Sequence, residues 1–235
     1  MLGPDEIHLW LTDYAAIEDD SLIAAYHALL NEAEREQQQR FRFAKDRRRY
    51  LVTRALVRSA LSGYAPVAPE EWRFTTNAWG RPEIANVDAG DLTFNVSHTH
   101  SLIALAVTRG RAVGVDVENW CGRDVSPGIA ERFFAPTEAA ALRAILKSRQ
   151  QERFFEYWTL KESYIKARGM GLSIPLDQFS FSFRDDGSVS FAVTLDDDPS
   201  RWRFWQFRPR PEYVMALCAE GAALVTISET VPLQP

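Results

Sequence analysis

The chain is nearly free of cysteine, with two in 235 residues, Cys121 and Cys218. That is too few for a disulfide framework, and neither sits in a metal-binding pair, so a reduced, cytoplasmic protein is expected. It carries no excess of positive charge: the net charge of −5 argues against general nucleic-acid binding. No apolar run approaches the roughly 18 residues of a membrane span. The N-terminus, Met-Leu-Gly-Pro-Asp-Glu, lacks the basic and apolar regions of a secretion signal. What is present is 46% hydrophobic and 12% aromatic content, enough for one large core or two small ones.

Hydrophobic periodicity alternates between helix and strand in two comparable halves. In the first, a strand is predicted over 7–11 and helices over 20–30, 31–40 and 46–61. Asn31 and Glu34 form a capping box, and Gly63 and Pro66 mark the end of the long helix. Strands are predicted over 72–75, 92–96 and 102–108, the last joined to 112–118 by a tight Arg109-Gly-Arg111 hairpin turn. In the second half, helices over 129–134, 136–146 and 152–168 precede strands over 179–183, 189–193, 202–208 and 213–219. Asp185-Asp-Gly187 turns the first pair. Ser101-Leu-Ile-Ala-Leu-Ala-Val107 faintly echoes Tyr213-Val-Met-Ala-Leu-Cys-Ala219, a weak sign of duplication.

Val113, Val115 and Val117 alternate with Gly114, Asp116 and Glu118, the period of a strand burying one face. Asp116 and Glu118 then share the other face, roughly 6.5–7 Å apart at Cα. Such a pair suits one hard cation and repels itself without it, although an ordinary solvent-facing strand looks the same. In 154–167, Phe154, Phe155, Tyr157, Trp158 and Ile165 recur at helical spacing, and Glu162 falls on a buried stripe. A buried carboxylate needs a partner. A plain ion pair with Lys166 at i+4 leaves Lys161 without a role. A third carboxylate for a metal, flanked by two lysines that meet phosphate oxygens, uses all three.

The segments Asn95-Val-Ser-His-Thr99, Gly114-Val-Asp-Val-Glu118, Arg132-Phe-Phe-Ala-Pro-Thr-Glu138 and Trp158-Thr-Leu-Lys-Glu-Ser-Tyr-Ile-Lys166 resemble, in order and spacing, signatures of the Sfp-type 4′-phosphopantetheinyl transferases. The likeness begins near Phe41, passes through Trp79-Gly-Arg-Pro82 and continues beyond Gly169-Met-Gly-Leu-Ser-Ile-Pro175. It implies an α+β fold, a pseudo-dimer of two similar α+β subdomains divided at 1–111 and 112–235, with coenzyme A at their interface. It also implies transfer of 4′-phosphopantetheine from coenzyme A to a serine of an apo acyl or peptidyl carrier protein, leaving adenosine 3′,5′-bisphosphate. Asp116, Glu118 and Glu162 match the family's magnesium ligands. Ser97, His98, Lys161, Lys166 and Arg81 match positions near the coenzyme's phosphates. His98 also follows the Leu92, Phe94, Val96 alternation, which places it at a strand end. Glu138 matches a proposed general base, with Glu162 or a water as the other route for the proton, and Pro136-Thr137-Glu138 reads equally as a helix start.

The chain departs from the family where a cation for the 3′-phosphate is expected: Glu34 and Gln37 stand there. Arg47 and Arg54 are the expected replacements. Carrier proteins are usually acidic, so docking is expected on a local basic or apolar patch, with residues 45–58 a candidate. Two other readings share parts of this pattern: a magnesium-dependent nucleotide pyrophosphate hydrolase, and a non-catalytic coenzyme A or carrier-protein binding module. A monomer is expected, since one chain carries every site residue.

Overall fold

The computed structural model describes residues 2–122, 124–125, 128–194 and 196–234. Its elements are, in order, β1 (Glu6–Asp13), α1 (Asp20–Leu29), α2 (Glu32–Arg40), α3 (Ala44–Ser62), β2 (Phe74–Thr76), β3 (Pro82–Ile84), β4 (Leu92–His98), β5 (Leu102–Arg109) and β6 (Val113–Asn119). There follow α4 (Gly128–Phe133), α5 (Pro136–Ala144), α6 (Lys147–Arg168), β7 (Phe179–Phe183), β8 (Val189–Val193), β9 (Trp202–Phe207), β10 (Tyr213–Glu220) and β11 (Leu224–Glu229). The fold is α+β. Contacts group the chain into two units, Met1–Asn77 with Pro82–Gly110 and Ala223–Pro235, and Ala78–Arg81 with Arg111–Ala222.

In the first unit the expected caps form. Asn31 Oδ1 accepts from the Glu34 amide at 2.9 Å while the Asn31 amide donates to Glu34 Oε2 at 3.1 Å, so two orphan amides at the start of α2 are satisfied together. The sheet runs β11-β1-β5-β4, with β11 parallel to β1 and the other pairs antiparallel. Leu51, Val52, Leu56 and Leu61 of α3 share its core with Phe94 of β4 and Ile103, Leu105 and Val107 of β5. Strand β11, absent from the periodicity reading, comes from the far end of the chain to give β1 its second neighbour.

The second unit places β6-β10-β9 as an antiparallel sheet and β7-β8 as a hairpin turned at Gly187, whose φ is 80°. Helix α6 contacts both β6 and β10, and ends at Gly169 in the left-handed conformation, with the Gly169 amide bonded to the carbonyls of Ile165 and Lys166. The predicted hairpin at Arg109-Gly-Arg111 does not form. Strand β5 has β1 on one edge and β4 on the other, leaving no edge for β6, which pairs with β10 instead. No helix among the described residues is long and apolar enough to cross a membrane.

Candidate active site

Gly114 sets the distance between β6 and α6. A methyl group built there would lie 2.1 Å from the Ser163 carbonyl oxygen and 2.4 Å from the Ala167 amide, so the helix backbone rests where any other residue's side chain would be. A strand that buries only one face would expose residues 114 and 116. Here the valines at 113, 115 and 117 are fully buried, and α6 covers the other face, leaving Asp116 only 6% exposed. The close approach brings Glu162 and Lys166, one helical turn apart, to the face that carries Asp116 and Glu118.

Lys166 Nζ donates to Asp116 Oδ1 at 2.8 Å and to the Val115 carbonyl at 3.1 Å. Glu162 is half-buried, and its carboxyl is pushed up to about 7, first by burial and then by the negative charge of Asp116, with Glu118 adding to it and Lys166 opposing. Glu162 accepts no hydrogen bond from any described residue. Arg81 anchors this arrangement: Nη1 donates to the carbonyls of Lys166 at 2.9 Å and Ala167 at 3.0 Å, and Nη2 to Val113 at 3.1 Å. It ties the C-terminal end of α6, where a cation is favoured, to the start of β6. The sequence signal for Gly114 was a glycine inside a valine-rich strand; Arg81's structural part had none.

Among the described residues no three carboxylate, histidine or cysteine side chains are closed to the spacing of a coordination shell. The donor set nevertheless fits a hard divalent cation: Asp116, Glu118 and Glu162 offer only oxygen, and their mutual repulsion is what such a charge relieves.

Two expected site residues belong elsewhere. Lys161 is fully buried, and its three N–H bonds are taken by the Leu176 carbonyl at 2.7 Å, the Phe179 carbonyl at 2.8 Å and Glu138 Oε2 at 2.7 Å. No hydrogen is left for a phosphate. Glu138, 1% exposed, receives the Ala135 amide on Oε2 and the Phe181 amide on Oε1 besides Lys161. Burial pushes the Glu138 carboxyl up and the Lys161 ammonium down, each opposed by the partner's charge. A carboxylate sealed in the core with both oxygens engaged does not meet a hydroxyl on another protein. The helix-start reading is the one realised, since Glu138 caps α5 through Ala135.

In the first unit, His98 is exposed at the last position of β4, where its alternation places it, and Ser97 beside it is buried. Arg54 pairs with Glu34, which also binds Arg58 at 2.8 Å, and Arg58 reaches the Trp72 carbonyl at 2.9 Å. Glu34 therefore acts as the counter-charge of buried Arg58 and half-buried Arg54, and Arg54 is spent on it. Arg47 Nη1 donates to the carbonyls of Phe41 and Arg42. Neither arginine is a free replacement for the cation missing at 34 and 37.

The profile described as "4'-phosphopantetheinyl transferase superfamily" matches residues 112–218, and that described as "4'-phosphopantetheinyl transferase, N-terminal" matches residues 18–110. Among curated proteins, the chain is 36% identical over 194 residues to 4′-phosphopantetheinyl transferase Sfp of Bacillus subtilis, covering 83% of this chain and 84% of that one. It is 35% identical over 170 residues to 4′-phosphopantetheinyl transferase HetI of Nostoc sp., covering 72% and 71%. Among solved structures, holo-[acyl-carrier-protein] synthase of Thermotoga maritima aligns with a TM-score of 0.40 at 21% identity, over 48% of this chain and 65% of that one. With that identity sustained over most of both chains, this protein belongs to the Sfp-type 4′-phosphopantetheinyl transferase family.

Proposed function

We infer that the Asp116, Glu118, Glu162 and Lys166 cluster carries phosphoryl-group chemistry on coenzyme A. The reaction is transfer of the 4′-phosphopantetheinyl arm to the hydroxyl of a carrier-protein serine. The serine oxygen attacks the β-phosphorus, the phosphoanhydride bond breaks, and adenosine 3′,5′-bisphosphate leaves. The observation that carries this reading is the placement of Glu162 beside two further carboxylates and one lysine by the glycine-mediated contact of α6 with β6. Magnesium, held by Asp116, Glu118 and Glu162, would neutralise pyrophosphate charge there.

Lys166 holds a phosphate oxygen with an ammonium that Asp116 and the Val115 carbonyl already orient. Arg81 acts through Lys166, by fixing the helix end that carries it. Of the two glutamates expected to take the serine proton, Glu162 is the one whose carboxyl is not consumed by hydrogen bonds from described residues. All three carboxylates are present, which disfavours a non-catalytic module. The protein acts in a reducing cytoplasm, a reading supported by its two unpaired cysteines, and as a monomer, since one chain carries every proposed site residue.

The test is intact-mass spectrometry of an apo carrier protein incubated with this protein and coenzyme A, with and without magnesium. A magnesium-dependent gain of one phosphopantetheinyl group, absent when the carrier serine is alanine, is expected. Nucleotide release without a carrier would replace this reading with the hydrolase, and coenzyme A binding without turnover on any carrier would replace it with a binding module.

A further inference from the structure

A second region of positive charge lies away from every residue assigned above except Arg47. Helices α1, α2 and α3 enclose a cavity of about 820 Å³, within the size range of small-molecule sites. Four cations line it: Arg35 from α2, and Lys45, Arg47 and Arg48 from α3. Two carboxylates line the same space, Glu18 just before α1 and Asp20 at its start, and the remaining wall mixes apolar Ile23, Ala44 and Leu51 with polar His27, Gln38 and Gln39. Arg35 and Lys45 are exposed, and neither they nor Arg48 forms an ion pair with a described residue. Glu34, beside Arg35, is engaged with Arg54 and Arg58, and Asp46, beside Lys45, with Arg49 at 3.1 Å, while Glu36 on the other side of Arg35 is exposed and does not line the cavity.

Arg48 is the unusual member. Its Nε and Nη2 are both closed off from solvent and donate to no acceptor. Those two atoms form the side-on edge of a guanidinium, the edge whose parallel N–H bonds grip two oxygens of one phosphate. Leaving both donors unmet is costly, and a small rotation of the guanidinium into the adjoining cavity lets an oxyanion satisfy both at once. The other cations give that oxyanion a second and third positive neighbour, which suits a dianionic phosphate better than a single carboxylate. Glu18 and Asp20, which would repel the phosphate itself, are acceptors for hydroxyl groups at the other end of such a molecule.

We propose that this cavity binds a phosphorylated polyhydroxy small molecule, its phosphate on Arg48, Arg35 and Lys45 and its hydroxyls toward Glu18 and Asp20. Of the positions tied to the coenzyme's 3′-phosphate, Glu34, Gln37 and Arg54 do not line the cavity; Arg47 does, but its Nη1 is bonded to the carbonyls of Phe41 and Arg42. The proposed phosphate contacts, Arg48, Arg35 and Lys45, are not among those positions, and the site does not depend on the proposed transfer reaction.

The experiment follows arginine Nε–H resonances of the ¹⁵N-labelled full chain, saturated with coenzyme A so that phosphate contacts used for transfer are filled. Ribose 5-phosphate is the probe, with inorganic phosphate, ribose and ionic-strength-matched sodium chloride as separate titrations. The Arg48 resonance, assigned by its loss in Arg48→Lys, is expected to shift to saturation with ribose 5-phosphate and not with ribose or chloride. The exposed-site variants Arg35→Gln and Lys45→Gln are each expected to raise the midpoint by roughly threefold. A lower midpoint for ribose 5-phosphate than for inorganic phosphate supports the organic phosphate, and its loss in Glu18→Gln/Asp20→Asn supports the hydroxyl contacts. Equal midpoints would reduce the site to one for inorganic phosphate and overturn the polyhydroxy part. No saturable shift, an equal shift with chloride, or midpoints unmoved in Arg35→Gln and Lys45→Gln would overturn the site itself.

Discussion

Lys161 and Glu162 are neighbours on α6, yet the helix turns them to regions of opposite character. Toward α5 and β7, Lys161 meets Glu138, and every N–H and every carboxylate oxygen of that pair has a partner within 3.0 Å. Toward β6, Glu162 meets two other carboxylates and a single lysine, and its own carboxyl is driven up to about 7. A buried charge whose hydrogen bonds are complete is structural, because nothing is left with which to bind. A half-buried charge left among like charges is unstable alone and stabilised by what binds there. The two regions teach that burial of a charged residue does not distinguish structure from function; the partner count does.

The largest test of this contrast is Glu162→Gln. Transfer is expected to fall at least about a thousandfold, about 4 kcal/mol in the barrier, while the protein in chelator at pH 8 melts roughly 2–4 °C higher. The sign follows from the raised carboxyl. Its stabilising contribution is present below the ordinary carboxylate value of 4.5 and is lost as pH rises through about 7. The gain should therefore shrink as pH falls through 7 and vanish only below 4.5, where the carboxyl is protonated in the folded and unfolded states alike. A variant that melts lower at pH 8 would mean that Glu162 is part of the scaffold.

Glu138→Gln is expected to do the reverse. It strands Lys161 in the core and should cost about 3–5 kcal/mol in urea unfolding, with the transfer rate per folded molecule held within about twofold. A loss of roughly 10²–10⁴ in that rate, with stability unchanged, would restore Glu138 as proton acceptor. Gly114→Ala forces α6 off β6 and should cost at least about 1–3 kcal/mol, with transfer falling in the folded fraction because Glu162 and Lys166 move away from Asp116. Wild-type transfer by a folded Gly114→Ala protein would detach the site from that contact.

The smallest effect concerns a third buried carboxylate. The Asp197 side chain is 1% exposed and accepts from Arg168 at 2.6 Å, Trp202 at 2.8 Å, Tyr164 at 2.5 Å and the Asp198 amide at 2.9 Å. Burial acts to raise its carboxyl, but the bonds from Tyr164, Trp202 and Arg168 outweigh it, and the group is held below its usual 3.8. Its contribution is thus present above that value and lost as pH falls through the folded-state value. Urea unfolding between pH 5 and pH 3 should show wild type losing more stability than Asp197→Asn; parallel curves would remove Asp197 from the acid response.

Much of the fold was legible because its signals are local. The Asn31–Glu34 box, the Gly63 and Gly169 ends and the Asp185-Asp-Gly187 turn depend on residues three or four apart, and all appear where expected. The resemblance between 101–107 and 213–219 lies on β5 and β10, each an interior strand buried on both faces. The false hairpin after β5 and the unseen β11 fail for one reason: strand partners far apart in sequence are chosen by which edges remain free.

The candidate site divides along the same line. Periodicity alone placed Asp116 and Glu118 on one strand face and Glu162 on an inward stripe of a helix, and motif order alone named the family. Spacing along one helix cannot say whether Lys161 or Lys166 reaches the acids, since each lies within one turn of Glu162's face. The fold decided it by packing α6 onto the one strand position with no side chain, and by burying Lys161 and Glu138 together where each meets the other's charge. Composition and order thus determined which groups the protein has to work with. Only tertiary packing decided which of them remain chemically available, because availability depends on how many hydrogen bonds the surrounding chain has already supplied.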